Sequence, residues 1–184
     1  SKDRLKETEY TQPAVLTADT AILRLLQKLG VEPDVVAGHS LGEYGALIAA
    51  GVIPFSDALR TVARRGTAMA EASPMNGDRG LMASVSGGPE EVADKLDEID
   101  GYVVCANKNC PRQTIIAGLT DPVERAVAMF EDEGYMVDLL NVSHAFHTKV
   151  VAEGSGPLRE HLESIDLNSP QIPILTNVTG EYHP

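Results

Sequence analysis

The sequence predicts an α/β protein in two parts, a parallel-sheet layer and a smaller lobe inserted into it. Three observations predict this. Ahead of Gly80, helical apolar spacing surrounds one short apolar run, Asp34–Gly38, suited to a buried parallel strand. From Gly80 the rhythm shortens to strands and helices in the order β-α-β-β-α-β, that of a ferredoxin-like unit. After Ser143 the chain returns to a helical pattern and a second apolar run, Ile172–Val178. The division expected is a core of residues 1–79 and 144–184 around an inserted lobe of residues 80–143.

The elements follow in order. Val15, Ala18, Ile22, Leu25, Leu26 and Leu29 keep helical spacing between Pro13, a helix-start residue, and Gly30, a helix-stop residue. Leu41–Ala50 reads as a helix ended by Gly51, and Ser56 as the cap of a helix running to about Ala72. In the lobe, Leu81–Ser86, Tyr102–Asn107, Gln113–Gly118 and Met136–Val142 read as strands. Pro89–Ile99 and Asp121–Glu133 read as helices, with Val92, Leu96 and Ile99 on one apolar face and Val123, Val127 and Phe130 on the other. Thr148–Ile165 reads as a helix interrupted near Gly154–Pro157.

Composition bounds the function. The chain has 184 residues, 43% hydrophobic, enough for a substantial core built from aliphatics, since aromatics are 4% and Trp is absent. Its net charge of -12, from 27 acidic and 15 basic residues, argues against general binding to nucleic acid or to an anionic membrane. No apolar run approaches the roughly 20 residues of a membrane span, and Ser1–Tyr10 is too polar for a signal peptide. Cys105 and Cys110 have no neighbouring His pair and read as reduced thiols, not a metal site. The expectation is a cytoplasmic protein.

The chemistry centres on "DVVAGHSLGEYGALIAAG". Gly38-His39-Ser40-Leu41-Gly42 fits G-x-S-x-G between an expected strand and an expected helix, the context that pattern requires. A turn this sharp presents the Ser40 hydroxyl outward. It also leaves the Leu41 N–H at a helix start, where it lacks an intrahelical acceptor and can donate to an oxyanion. Ser40 is the candidate nucleophile and needs a base. His39 reads as packed in the turn, His161 as solvated between Glu160 and Glu163, and His183 as terminal. His144 and His147, in "NVSHAFHTK", fall where the lobe hands the chain back to the core, and position alone leaves either as the base. Arg64 and Arg65 point about 100° apart on their helix, so at most one faces a cleft to hold a carboxylate. The residues alone favour two surface arginines.

Together these segments resemble the acyltransferase domain of the malonyl-CoA:acyl-carrier-protein transacylase family, which includes the acyltransferase domains of polyketide and fatty-acid synthases. "TQPAVLTADTAI", "GHSLGEYGALIAAGV", "ARRGTAMAEA", "ANKNCPRQTIIAG", "SHAFHTKV" and "PILTNVTGE" carry the resemblance, in family order, over nearly the whole chain. It implies an α/β hydrolase-like parallel-sheet core with a ferredoxin-like inserted lobe. It implies Ser40 as the acylated nucleophile, His147 as base, Leu41 N–H as an oxyanion donor, and Arg65 as partner of the extender's free carboxylate. His-Ala-Phe-His resembles malonyl-selective members, so His144 and Phe146 are implied at the substrate, with Phe146 bulky where an α-methyl would sit. Gln12 and Asn109 match positions near the family's pocket. The family begins with a glycine- and glutamine-rich strand-loop, source of a second oxyanion donor, and continues past the "TNVTGE" strand with a group that orients the histidine. The chain contains neither segment, so the resemblance reads as truncated at both ends.

The activity implied is ping-pong transfer of a malonyl group from malonyl-CoA to the phosphopantetheine thiol of an acyl carrier protein, with no bound cofactor or metal. Neighbouring synthase domains are implied as further partners. Carrier proteins are usually acidic, and Arg79, Lys108 and Arg112 around the lobe are the expected docking charges. The competing expectations are a serine thioesterase or esterase, which would release free malonate, and a catalytically silent docking module.

Overall fold

The computed structural model describes residues 4–72 and 77–183. By contact density the chain divides into two units, Ser1–Ala68 with Gly156–Pro184, and Met69–Ser155. The second unit takes in residues 144–155, which sequence spacing had assigned to the core.

The first unit opens on a 3-10 turn, Arg4–Lys6, and the long helix α1, Thr8–Lys28. β1, Val36–Ala37, leads through the serine turn into α2, Gly42–Ala49, and then into the residues of α3, Phe55–Glu71. The helix α6, Ser155–Glu163, and β6, Ile174–Leu175, complete it. β1 and β6 pair in parallel, Val36 with Ile174 and Ala37 with Leu175. Leu16, Ile48, Ile53, Ala58 and Val62 form the core between α1, α2 and α3.

Three expectations change here, at Pro13, Ser56 and Thr148–Ile165. α1 begins at Thr8 and carries Pro13 inside it, so Pro13 does not mark its start. The face it buries is Thr8, Gln12, Leu16 and Thr20, while Ile22, Leu25 and Leu29 are 58%, 57% and 71% exposed. Ser56 is no cap: the C=O of Pro54 accepts the N–H groups of Asp57 and Ala58 at 3.0 Å, so the helix starts one residue ahead of Ser56. The Thr148–Ile165 helix is a 3-10 segment, Lys149–Gly154, followed by α6.

The second unit holds β2 (Leu81–Val85), α4 (Pro89–Leu96), β3 (Val103–Cys110), β4 (Gln113–Gly118), α5 (Thr120–Asp132) and β5 (Val137–Leu139). The strands form an antiparallel sheet in the order β3-β4-β2-β5, the ferredoxin-like arrangement that the element order predicts. Strand alternation gives the sheet two apolar faces. Ala83, Val85 and Ile116 pack on Val92 and Leu96 of α4 and Val123 and Phe130 of α5. Met82, Ile115 and Ala117 point the other way and receive Ala145, Phe146 and Val150. The segment carrying the two candidate histidines is therefore fixed to the sheet face opposite the helices. Among the described residues no helix is long and apolar enough to cross a membrane.

Candidate active site

In the first unit the site is built on the turn between β1 and α2. The backbone doubles back so tightly that a Cβ on Gly38 would lie 2.1 Å from the carbonyl carbon of Gly42 and 2.3 Å from the Glu43 nitrogen. No side chain fits there, which explains the first glycine of the motif. Around Gly42 the described residues leave open space, so its glycine is not required by this packing. The strain of the turn falls on Ser40, whose φ of +52° is left-handed and costs a non-glycine residue about 1–2 kcal/mol. Within the turn Gly42 N–H donates to His39 C=O (2.9 Å) and Glu43 N–H to Ser40 C=O (3.1 Å). The Leu41 N–H precedes both and lies at the positive end of α2. His39, expected to pack inside the turn, is exposed and borders a groove of about 510 Å³ together with Gly38, Asp19 and Leu23.

Arg65 is not a surface arginine. Its Nη1 donates to Gln12 Oε1 at 2.8 Å, and Gln12 Nε2 donates to Thr8 Oγ1 at 2.8 Å. The second bond fixes which end of the Gln12 amide faces Arg65. Burial lowers the Arg65 pKa from its usual value, and the nearby Tyr44 and Glu43 side chains partly offset this. Tyr44 in turn is raised by burial and drawn back by the Arg65 charge. Tyr44 and Glu43 both belong to the first turn of α2, so these couplings bring the Arg65 charge to the N-terminal turn of the helix that follows the serine turn. Gly66 makes this approach possible: a Cβ there would sit 2.7 Å from Glu9 Cα, so α3 meets α1 backbone to backbone beside the Arg65–Gln12 pair. Arg64 is exposed. Thr8, Tyr44 and Gly66 were not singled out in the sequence; for Tyr44 the available signal was its place in the first turn of the helix after the serine turn.

His161 is also not simply solvated. It is half-buried, with Nε2 3.2 Å from Thr61 Oγ1. Since Thr61 already donates to Asp57 C=O at 2.8 Å, the imidazole is the donor in that pair. This bond ties α6 to α3 and gives His161 a structural role.

In the second unit, His147 has φ of +59°, the other left-handed non-glycine among the described residues. His147 is exposed, His144 is 3% exposed, and the His144 ring packs against Phe146 with centroids 6.0 Å apart. The structure thus separates two histidines that position alone left equivalent: one presented to solvent on a strained turn, one buried behind Phe146. Asn109 is at the exposed end of the β3–β4 hairpin, its Nδ2 3.4 Å from Gln113 Oε1. Lys108 pairs with Thr114 at that end, whereas Arg79 precedes Leu81, which pairs with Gly118 at the other. Four residues of strand, roughly 13 Å, lie between. Arg79 therefore does not share a patch with Lys108 and Arg112. Among the described residues no three His, Cys, Asp or Glu side chains cluster as a metal site.

Residues 1–183 match the family described as acyl transferase domain. The chain belongs to that family. It is 38% identical over 184 residues to the malonyl CoA-acyl carrier protein transacylase of Bacillus subtilis, covering 97% of this chain and 57% of the relative. It is 41% identical over 181 residues to the protein of the same name from Escherichia coli, covering 96% and 58%. Among solved structures, the malonyl CoA-acyl carrier protein transacylase of Coxiella burnetii superposes with a TM-score of 0.91 at 36% identity, over 98% of this chain and 58% of that one. The acyltransferase domain from the second module of the salinomycin polyketide synthase superposes with a TM-score of 0.90 at 36% identity, over 100% and 42%. The acyl transferase chain described here thus spans less than three fifths of the length of these relatives.

Proposed function

We propose that this acyl transferase chain moves a malonyl group from malonyl-CoA to the phosphopantetheine thiol of an acyl carrier protein, through a serine ester, in fatty-acid or polyketide synthesis in the cytoplasm. The observation that carries the proposal is the Ser40 turn, strained at φ +52° and closed by a glycine that no other residue can replace, in a chain of this family. The names of the relatives from Bacillus subtilis and Escherichia coli supply the substrate and acceptor.

In this reading His147 takes the Ser40 hydroxyl proton as the oxygen attacks the thioester carbonyl carbon. The oxyanion of the tetrahedral intermediate accepts the Leu41 N–H. The C–S bond breaks, the CoA sulfur takes the proton from His147, and CoA thiol leaves a malonyl-Ser40 ester. The pantetheine thiol then gives its proton to His147 and attacks the ester, C–O breaks, and Ser40 recovers its proton. Arg65, held by Gln12, binds the free carboxylate of the malonyl group. Phe146, backed by His144, limits the space at the α-carbon. One methyl is worth about 1–3 kcal/mol in such a space, so selectivity against methylmalonyl is graded. Asn109 is assigned to the substrate side with Gln12, and Lys108 and Arg112 on the same hairpin to the carrier protein. No cofactor or metal takes part. The unit of Ser1–Ala68 and Gly156–Pro184 supplies the nucleophile, and the unit of Met69–Ser155, which contains the lobe expected at residues 80–143, supplies the base.

The test is the intact mass of the protein after brief exposure to malonyl-CoA, beside Ser40→Ala. A malonyl adduct on the wild type alone, passed to added pantetheine, supports the transferase. Free malonate without acyl-pantetheine would instead show a hydrolase, and the transferase reading would be abandoned.

A further inference from the structure

The left-handed turn at His147 is braced on both sides by groups with no part in the reaction as proposed. Upstream, Ala145 is fully buried and its N–H donates to Arg79 C=O at 2.9 Å. Ala145 Cβ fits against Gly80, where any added Cβ would come within 2.7 Å of it. Gly80 N–H is held by Asp78 at 2.8 Å, and Asp78 also accepts the N–H and hydroxyl of Thr120 at 2.7 Å each. Downstream, the Thr148 hydroxyl reaches back across His147 to donate to Ala145 C=O at 2.6 Å. The same oxygen accepts Val150 N–H at 3.1 Å and so caps the 3-10 segment. The next amide, Lys149 N–H, donates to the Tyr102 hydroxyl at 2.8 Å, while the Tyr102 ring packs with the cluster of Met82, Ile115 and Ala145.

A left-handed non-glycine persists only where its surroundings over-determine it. Two hydroxyls do that here, one closing the turn over His147 and one fixing the first amide beyond Thr148. We propose that Thr148 and Tyr102 are positioning residues for His147, their hydroxyls holding its turn so that the imidazole is presented in one orientation. The proposal rests on the reading of His147 as the base.

Thr148→Val keeps the shape and removes the hydroxyl, Thr148→Ser restores it, and Tyr102→Phe keeps the ring and removes the acceptor. All are made in the full-length protein and compared with His147→Ala by the rate of malonyl-serine formation. The result expected is a fall of roughly 3- to 10-fold at saturating malonyl-CoA for Thr148→Val and for Tyr102→Phe, the worth of about one hydrogen bond. KM stays unchanged, Thr148→Ser recovers to within about twofold, and the pH–rate profile of the two weakened variants moves with the displaced imidazole. A role in stability alone would lower the melting temperature without moving that profile. If His147→Ala is inactive while folded Thr148→Val and Tyr102→Phe keep the wild-type rate and profile, the positioning role is wrong and the base assignment stands. If His147→Ala keeps the wild-type rate, the base assignment fails and the positioning role goes with it.

Discussion

Arg65→Ala is the sharpest test of substrate choice, and the structure says how to read it. The guanidinium is drawn down from its usual pKa by burial and donates to Gln12 Oε1. Gln12 is 4% exposed. Deleting Arg65 therefore removes the proposed carboxylate partner and also takes a donor from a buried amide oxygen, which costs about 1–3 kcal/mol of stability. The second effect is common to every substrate, because it belongs to the protein. The first is not: a charge-assisted bond contributes about 1.5–3 kcal/mol to malonyl and nothing to acetyl. The ratio of kcat/KM for malonyl-CoA over acetyl-CoA cancels the common part. It should fall roughly 10- to 150-fold. The assay is acyl-serine formation from each thioester under matched conditions, on variant protein shown to be folded by its thermal transition. Arg65→Lys keeps the charge and loses the planar fork, so an intermediate ratio is the outcome consistent with paired hydrogen bonds. An unchanged ratio in folded Arg65→Ala would falsify the carboxylate role.

Two further outcomes follow from packing and charge. Gly38→Ala places a methyl 2.1 Å from the backbone of Gly42, with no flexible side chain to yield, so the turn must open; the expected result is loss of Ser40 malonylation by more than about 100-fold, and a variant that labels normally would show that the tight turn is dispensable. Asp78 is raised somewhat by desolvation, but three hydrogen bonds from Thr120 and Gly80 outweigh this and hold its pKa below the usual carboxylate value. Its contribution to stability is therefore present above its unfolded pKa and is lost as pH falls through the lower folded one. The gap in melting temperature between wild type and Asp78→Asn should be constant near neutrality and close below about pH 4, and a gap that widens on acidification would overturn the assignment.

The parts legible in the sequence were those where one local rule decides. The strand-turn-helix context of Gly38–Gly42 required a corner serine, and the turn is there with Gly38 pressed on Gly42. The β-α-β-β-α-β rhythm gave the ferredoxin-like sheet because each strand's alternation points to two faces and both are covered. Arg65 was illegible for the opposite reason. Its environment is made by Gly66, which lets two helix backbones meet, and by Gln12, far away in sequence. The grouping of basic residues was illegible likewise: Lys108 and Arg112 share one end of the sheet, and Arg79 belongs to the other.

α1 shows the physical limit most clearly. Apolar spacing picks out Ile22, Leu25 and Leu29, yet these are exposed and the helix buries Thr8, Gln12, Leu16 and Thr20. Polar residues are admitted to the interior when their hydrogen bonds are met, and here they are met within the helix or at the site: Thr20 Oγ1 donates to Leu16 C=O at 2.7 Å, and Gln12 bridges Thr8 and Arg65. A periodicity count scores these three polar positions as solvent-facing because it prices the side chain and not its bonds. Two of the three, Thr8 and Gln12, hold the Arg65 of the proposed carboxylate grip. Gln12, 4% exposed, and the half-buried Arg65 follow one rule: a polar side chain leaves water together with its partner, here an amide oxygen turned to a guanidinium, which leaves the other N–H groups of Arg65 available for the proposed carboxylate.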